Sequence, residues 1–432
     1  MVRRCGEAPV ASHGYGPDVV CLLLRLVLVA GVSLRAAPRV LGTVSEALGL
    51  ALPVPCWTTG RLWLLRLGHA MRTAPLAEAE DWAWLIDHSV QIGQEKCLVI
   101  LGIRLIDLPE RGQSLRHEDL ELIELLPAKS WTRAEVDRAL ENAMGRTGRA
   151  PRVIVSDHGA DVSGGIALFQ QRHPQAAEIY DAKHKSACLL KRRLEKNVRW
   201  QEFQTQIGAT RCAVQQTELA FLTPPAPKPK ARFMNLGPQL AWAKRVLAIL
   251  RAPPPSIAPW ASAERLKEKL GWIEAFAPEV ADWLQGQQVV DVAVGFVNGQ
   301  GIYRGAARLM AKQFSQLDAL GASATQLAAE LVRFVRNEER KAEPAERFPG
   351  STEVLESCFG KFKHLEKQQS RGGFTQLLLG FGAMLAKLTT ATVRQAMRTS
   401  RTIDVKAWAE QNLGVTLFAQ RKLAFAGATK DG

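Results

Sequence analysis

Residues 82–128 break with the helix-like text on either side of them. "WAWLIDHSVQI" and "KCLVILGIRLI" are apolar runs of strand length separated by "GQE", and "LELIELLPA" supplies a third. Such runs bounded by turn residues read as strands, the first two as a hairpin. "WTRAEVDRALENAMGRTG" then reads as a helix ended by glycine, and "PRVIVSDHG" as a buried strand that stops at Asp157. "DVSGGIALFQQRHP" is helical and "AEIYD" is again strand-like. The predicted order is three strands, helix, strand, helix, strand. That order commits the chain to the α/β class, with a mixed sheet flanked by helices.

Around this block the periodicity is helical. "SLRAAPRVLGTVSEALGL" and "WTTGRLWLLRLGHAMR", joined by the turn "ALPVPC", make two helices with Arg61, Arg66 and Arg72 on the second. Helix, tight turn and helix with basic residues is the layout of a helix-turn-helix reader of DNA, although small helical bundles share it. The apolar run "VVCLLLRLVLVAGV" ahead of them is interrupted by Arg25. It is shorter than the roughly 20 residues a membrane span needs, and is expected to be a buried helix, with neither secretion nor membrane attachment implied.

Beyond residue 183 strand character is lost. "KHKSACLLKRRLEKNVRW" opens a largely helical stretch with a dense basic run that includes Lys191, Arg192 and Arg193. "TPPAPKPKAR" and "APPPSIAPW" break it further along. The expected division is therefore a helical domain at 1–78, a first core part at 79–184, a helical insertion at 185–345, a second core part at 346–388 and a tail at 389–432.

Composition narrows the partners. The chain has 432 residues, 47% of them hydrophobic, enough for a sizeable core, and a net charge of +14. A basic surplus of that size points to a polyanion, nucleic acid first. The seven cysteines form no metal-ligand spacing, which suits free thiols in a reducing cytoplasm.

Three carboxylates stand in unusual places. Asp87 lies inside an apolar first strand, Asp157 ends the strand after the first helix, and Glu356 projects from the late helix "STEVLESCFGKFKHLE". In that helix Leu355, Cys358, Phe359, Phe362 and Leu365 form the apolar stripe, while Glu356, Gly360 and Lys363 share the polar face. Buried carboxylates are costly unless paired or bound to a metal. Taken singly, Asp87 also reads as a capped strand-end turn and Asp157 as a turn-forming aspartate. Glu353 competes with Glu356, but a carboxylate in the first turn is favoured by the helix dipole alone.

On "DWAWLIDHSVQIG", "VIVSDHGADVSGGI", "YDAKHKSACLLK", "KARFMNLG" and "LESCFGKFK", the chain resembles the DDE transposases of bacterial insertion sequences, from about residue 17 to 385. Glu356 and Lys363 fit the spacing of the family's Glu and Lys, and "DAKH" resembles a motif, ending here in His184, of members with a helical insertion. The Tyr and Arg often found just before that Glu are absent here. The resemblance implies a ribonuclease H-like core, with Asp87, Asp157 and Glu356 as catalytic and metal-binding residues. It implies two Mg²⁺ ions about 3.5–4 Å apart, with Mn²⁺ able to substitute, one activating the nucleophile and one steadying the leaving oxygen.

The partners implied are the terminal inverted repeats of a mobile element and its target DNA. They would be held by Arg61, Arg66, Arg72, His184, Lys191, Arg192, Arg193 and Lys363, with the protein a homo-oligomer on DNA at the nucleoid. A non-catalytic or domesticated DNA-binding relative and a structure-specific nuclease are the alternatives. His88 is expected to face the other side of the sheet from Asp87, while His158 reads either way. Trp200 and Trp242 are expected in the core rather than stacked on a base.

Overall fold

A computed structural model describes residues 8–10, 13–92, 95–226, 232–234, 236–368, 375–415 and 417–428. Cys5, the hairpin turn at 93–94 and residues 230, 231 and 235 of "KARFMNLG" lie outside the described residues. The chain forms two compact units. One comprises Met1–Glu110, Ser114–Ile179 and Thr352–Gly432, and the other Arg111–Gln113 and Tyr180–Ser351.

The first unit is built on a five-stranded sheet in the order β3-β2-β1-β4-β5. Its strands are β1 (Trp82–Ile92), β2 (Glu95–Arg104), β3 (Glu121–Ala128), β4 (Val153–Ser156) and β5 (Ala177–Tyr180). β2 runs antiparallel to both β1 and β3, whereas β4 is parallel to β1 with Ala83 opposite Val153 and Ile86 opposite Ser156. The sheet is therefore mixed, as the order of runs predicts.

Alternation along the strands sorts the two faces. Trp82, Trp84, Ile86, Leu98, Ile100 and Ile154 pack with Val136, Leu140, Val162, Ile166 and Phe169 in one buried cluster. The last five come from α4 (Arg133–Thr147) and α5 (Ala160–Arg172), so these helices cover that face. Thr132 caps α4, its hydroxyl accepting the Glu135 N–H at 3.3 Å while the Glu135 carboxylate accepts the Thr132 N–H at 2.7 Å. Ala83, Leu85 and Asp87 point to the opposite face.

The amino-terminal helices are α1 (Pro17–Leu28), α2 (Ala37–Ala47) and α3 (Trp57–Thr73). They are not a separate unit, contrary to the expected boundary at residue 78. α3 packs against β3 and against late helices of the same unit. Trp63, Leu64, Leu65 and Leu67 are almost fully buried there, so α3 belongs to the core. Among the described residues no helix is long and apolar enough to cross a membrane.

The second unit is helical: α6 (Ala182–Leu194), α7 (Val198–Val214), α8 (Gly237–Arg251), α9 (Ala263–Leu270), α10 (Ala277–Gln300), α11 (Ala306–Phe314) and α12 (Ala322–Glu339). α10 packs against α6, α8 and α12. Trp200 meets Trp283 edge-on at 4.8 Å within an aromatic cluster, and the Trp242 indole donates to the Leu222 carbonyl at 2.8 Å. Both indoles are core groups, as expected.

The chain then returns to the first unit through α13 (Glu353–Glu366), α14 (Gly380–Ala383), α15 (Thr390–Thr399), α16 (Thr402–Asn412) and α17 (Leu417–Ala428). The stretch expected as a tail is largely helical, and α15 and α16 are packed on α3.

Candidate functional site

β1 and β4 carry two of the three candidate carboxylates. The parallel pair ends its ladder at Ile86 opposite Ser156, so Asp87 and Asp157 are the next residues on adjacent strands. Carried one residue on, the alternation directs both to the face away from α4 and α5. Asp87 is 5% exposed and marks the start of a register shift against β2. Asp157 is half-buried, and its Oδ1 accepts the Gly159 N–H at 2.8 Å. That bond closes an Asx turn, the alternative role the sequence leaves open.

The loop after Asp157 is tightly made. His158 holds a left-handed backbone at φ 58°, uncommon for a residue other than glycine. Its Nε2 lies 3.2 Å from Glu178 Oε1, which also accepts the Ser156 hydroxyl at 3.0 Å. His88 turns to the opposite face from Asp87, as expected, with Nε2 3.3 Å from Asp161 Oδ2 and its ring beside Trp131. Burial lowers the His88 pKa against the pull of the Asp161 and Asp157 charges.

Glu356 arrives on α13, which packs on β1. Leu355, Cys358, Phe359, Phe362 and Leu365 are buried along its length, the stripe the spacing predicts. Glu356 is half-buried at the edge of that stripe, and Gly360 and Lys363 are exposed. Glu353 opens the helix and is half-buried too. Between α13 and the connection after β2, His117 Nε2 lies 3.1 Å from Ser357 Oγ, while Lys361 Nζ lies 3.1 Å from His117 Nδ1.

The donor chemistry, three hard oxygen ligands, suits Mg²⁺. The geometry does not complete it: among the described residues no group of three or more His, Cys, Asp or Glu is gathered closely enough to hold a metal ion. Two carboxylates leave neighbouring strands and the third approaches on a packed helix, without converging.

The expected DNA contacts divide. Arg66 departs from the reading. It is 8% exposed, and its guanidinium donates to the carbonyls of Ser400 at 2.6 Å and Met397 at 2.7 Å. It ties α3 to the end of α15. Helical spacing contained the signal: Arg66 lies about 140° around the helix from Arg61, whereas Arg72 lies within about 20° of Arg61. Arg61 and Arg72 are half-buried.

In the second unit, Arg192 and Arg193 both grip Glu330, at 2.5 and 3.1 Å, and Lys191 pairs with Glu195 at 3.6 Å. The basic run is thus partly neutralised internally. The "DAKH" motif has a structural role as well. Asp181, 1% exposed, is the N-cap of α6 and accepts the His184 N–H at 2.7 Å.

No protein-family model matches the chain, and no curated protein matches it.

Proposed function

We propose that the chain is a DNA-processing polynucleotidyl transferase of the DDE transposase type, built on a ribonuclease H-like sheet. One observation carries the reading: in the order β3-β2-β1-β4-β5, the parallel register of β1 and β4 sets Asp87 and Asp157 side by side, and α13, which carries Glu356, packs on β1. A net charge of +14 supports a nucleic-acid partner. Strand cleavage and joining at the ends of a mobile element is the proposed reaction, with Mg²⁺ as the proposed cofactor.

The test is cleavage and joining of duplex DNA carrying the flanking inverted repeats, with and without Mg²⁺. Wild-type protein should cut and join. Asp87→Asn and Glu356→Gln should lose more than about 100-fold of the rate, beyond what outer-shell ligands of a metal cost, while still binding DNA. Glu353→Gln should cut normally. Products without joining would indicate a structure-specific nuclease instead.

A second reading is a non-catalytic DNA-binding relative. The ungathered carboxylates and the turn bond accepted by Asp157 favour it. Binding of the repeats without cleavage in either Mg²⁺ or Mn²⁺ would select it.

A further inference from the structure

Where the end of α3 meets α16, a cavity of about 610 Å³ is walled by His69 and Arg72 on one side and by Arg401, Asp404, Trp408 and Gln411 on the other. Arg72 lies over the Trp408 ring, 6.0 Å from its centroid. Its Nε–H is enclosed without a hydrogen-bond partner, and so is the indole N–H of Trp408, a side chain only 3% exposed. Arg72 is half-buried, lies over an aromatic face and feels the charge of buried Glu124, and its guanidinium is a donor fork suited to a bidentate oxyanion.

The single carboxylate of the wall does not cancel this. Asp404 accepts the Arg401 N–H at 2.7 Å and lies 3.2 Å from the Arg401 guanidinium. The charged groups lining the cavity are Arg72, Arg401 and Asp404, a positive balance, and buried Glu124, outside the lining, also acts on Arg72. His69, whose Nδ1 is 3.1 Å from Ser400 Oγ, adds an imidazole beside Arg72. Burial lowers the His69 pKa, so near neutral pH it contributes a hydrogen-bonding group rather than a charge.

We propose that this cavity is a phosphate-binding pocket, with Arg72 as its principal donor and Arg401 at its rim, and that its ligand is a backbone phosphate of duplex DNA. The second half of the proposal rests on the nucleic-acid partner argued above. The first half, a pocket for a phosphate group, does not. Arg72 then acts as a fixed phosphate clamp, not as a reader of base edges from an exposed helix.

The test compares wild type, Arg72→Ala and Arg72→Lys in two assays on the full chain. In the first, affinity for a labelled duplex is followed across KCl concentrations. Arg72→Ala should reduce the magnitude of the log–log salt slope by about 0.9. Arg72→Lys should keep the slope but bind several-fold more weakly, because a point charge does not reproduce the fork. In the second, inorganic phosphate should raise the melting temperature of wild type and not of Arg72→Ala.

Should Arg72→Ala fail to fold, Arg72→Lys, which keeps a long stem over Trp408, carries the comparison through its weaker duplex affinity and smaller phosphate shift. A folded variant that retains the wild-type slope, affinity and phosphate shift overturns the pocket and leaves the nucleic-acid reading standing. An Arg72-dependent phosphate shift without duplex binding supports the pocket for a free phosphate and removes DNA as its ligand.

Discussion

Ile86 of β1 and Ser156 of β4 stand opposite each other in a parallel pair, which makes Asp87, midway along β1, and Asp157, just past the end of β4, neighbours. Asp157 also accepts the Gly159 N–H, and one pair of substitutions separates its two roles. Asp157→Asn keeps an oxygen able to accept that N–H, so melting should be unchanged. Asp157→Ala loses it, at about 1 kcal/mol. Assayed for cleavage, Asn should be as inactive as Ala if the charge is what matters. An Asn variant that cuts like wild type would reduce Asp157 to a turn residue.

Arg66 makes the opposite case, a charge whose work is structural. Removing its side chain strands the Ser400 and Met397 carbonyls, each accepting a charge-assisted bond worth about 1.5–3 kcal/mol. Arg66→Met should therefore lower unfolding free energy by about 3 kcal/mol, measured in urea. Whatever DNA affinity the folded variant has should be unchanged. A Met variant that melts normally but loses DNA binding would return Arg66 to the DNA surface.

The parts of this molecule that could be read from sequence are those written in periodicity. Trp82, Trp84 and Ile86 alternate, and Leu355, Phe359 and Phe362 recur at helical steps, so the first strand and the buried stripe of α13 were legible. Its angle around the helix set Arg66 apart from Arg61 and Arg72, but its partners are backbone carbonyls some 330 positions away and carry no residue-type signature. The partner of residues 389–412 was hidden in the same way: Val393, Ala396 and Met397 form a helical stripe, but nothing in it names α3 as the element it packs on. For the site, the pairing of Asp87 with Asp157 was implied by the family resemblance rather than by spacing. The lack of convergence with Glu356 is a matter of side-chain placement that spacing does not encode.

Acid should weaken the fold. His13, His69, His88 and His117 are all depressed from the ordinary histidine value, with burial as the largest cause in each. A depressed folded value means that, below about pH 6.5, the unfolded chain binds more protons than the native one. Stability is then fully present above about pH 6.5 and is lost as pH falls toward the folded values. Urea midpoints should drop between pH 7.5 and 5.5, and His88→Gln should make the drop shallower. A midpoint that rises on acidification would mean that the His88–Asp161 ion pair outweighs burial.

Two helical glycines should respond to alanine in opposite directions. A Cβ at Gly68 in α3 would lie 1.7 Å from the Leu379 carbonyl oxygen, and one at Gly382 would lie 2.7 Å from the Gly68 oxygen. α3 and α14 approach backbone to backbone there, and no side-chain rotation relieves the clash. Gly68→Ala should cost more than about 3 kcal/mol, the upper end of overpacking penalties. Gly360 in α13 has nothing within 4 Å of its Cβ position, and its helix would be steadier by up to about 1 kcal/mol with alanine. A glycine on the face that carries Glu356 and Lys363 fits close approach by a nucleic-acid backbone. Gly360→Ala should therefore raise the melting temperature while lowering DNA cleavage. Higher stability with unchanged cleavage would show that nothing approaches that face.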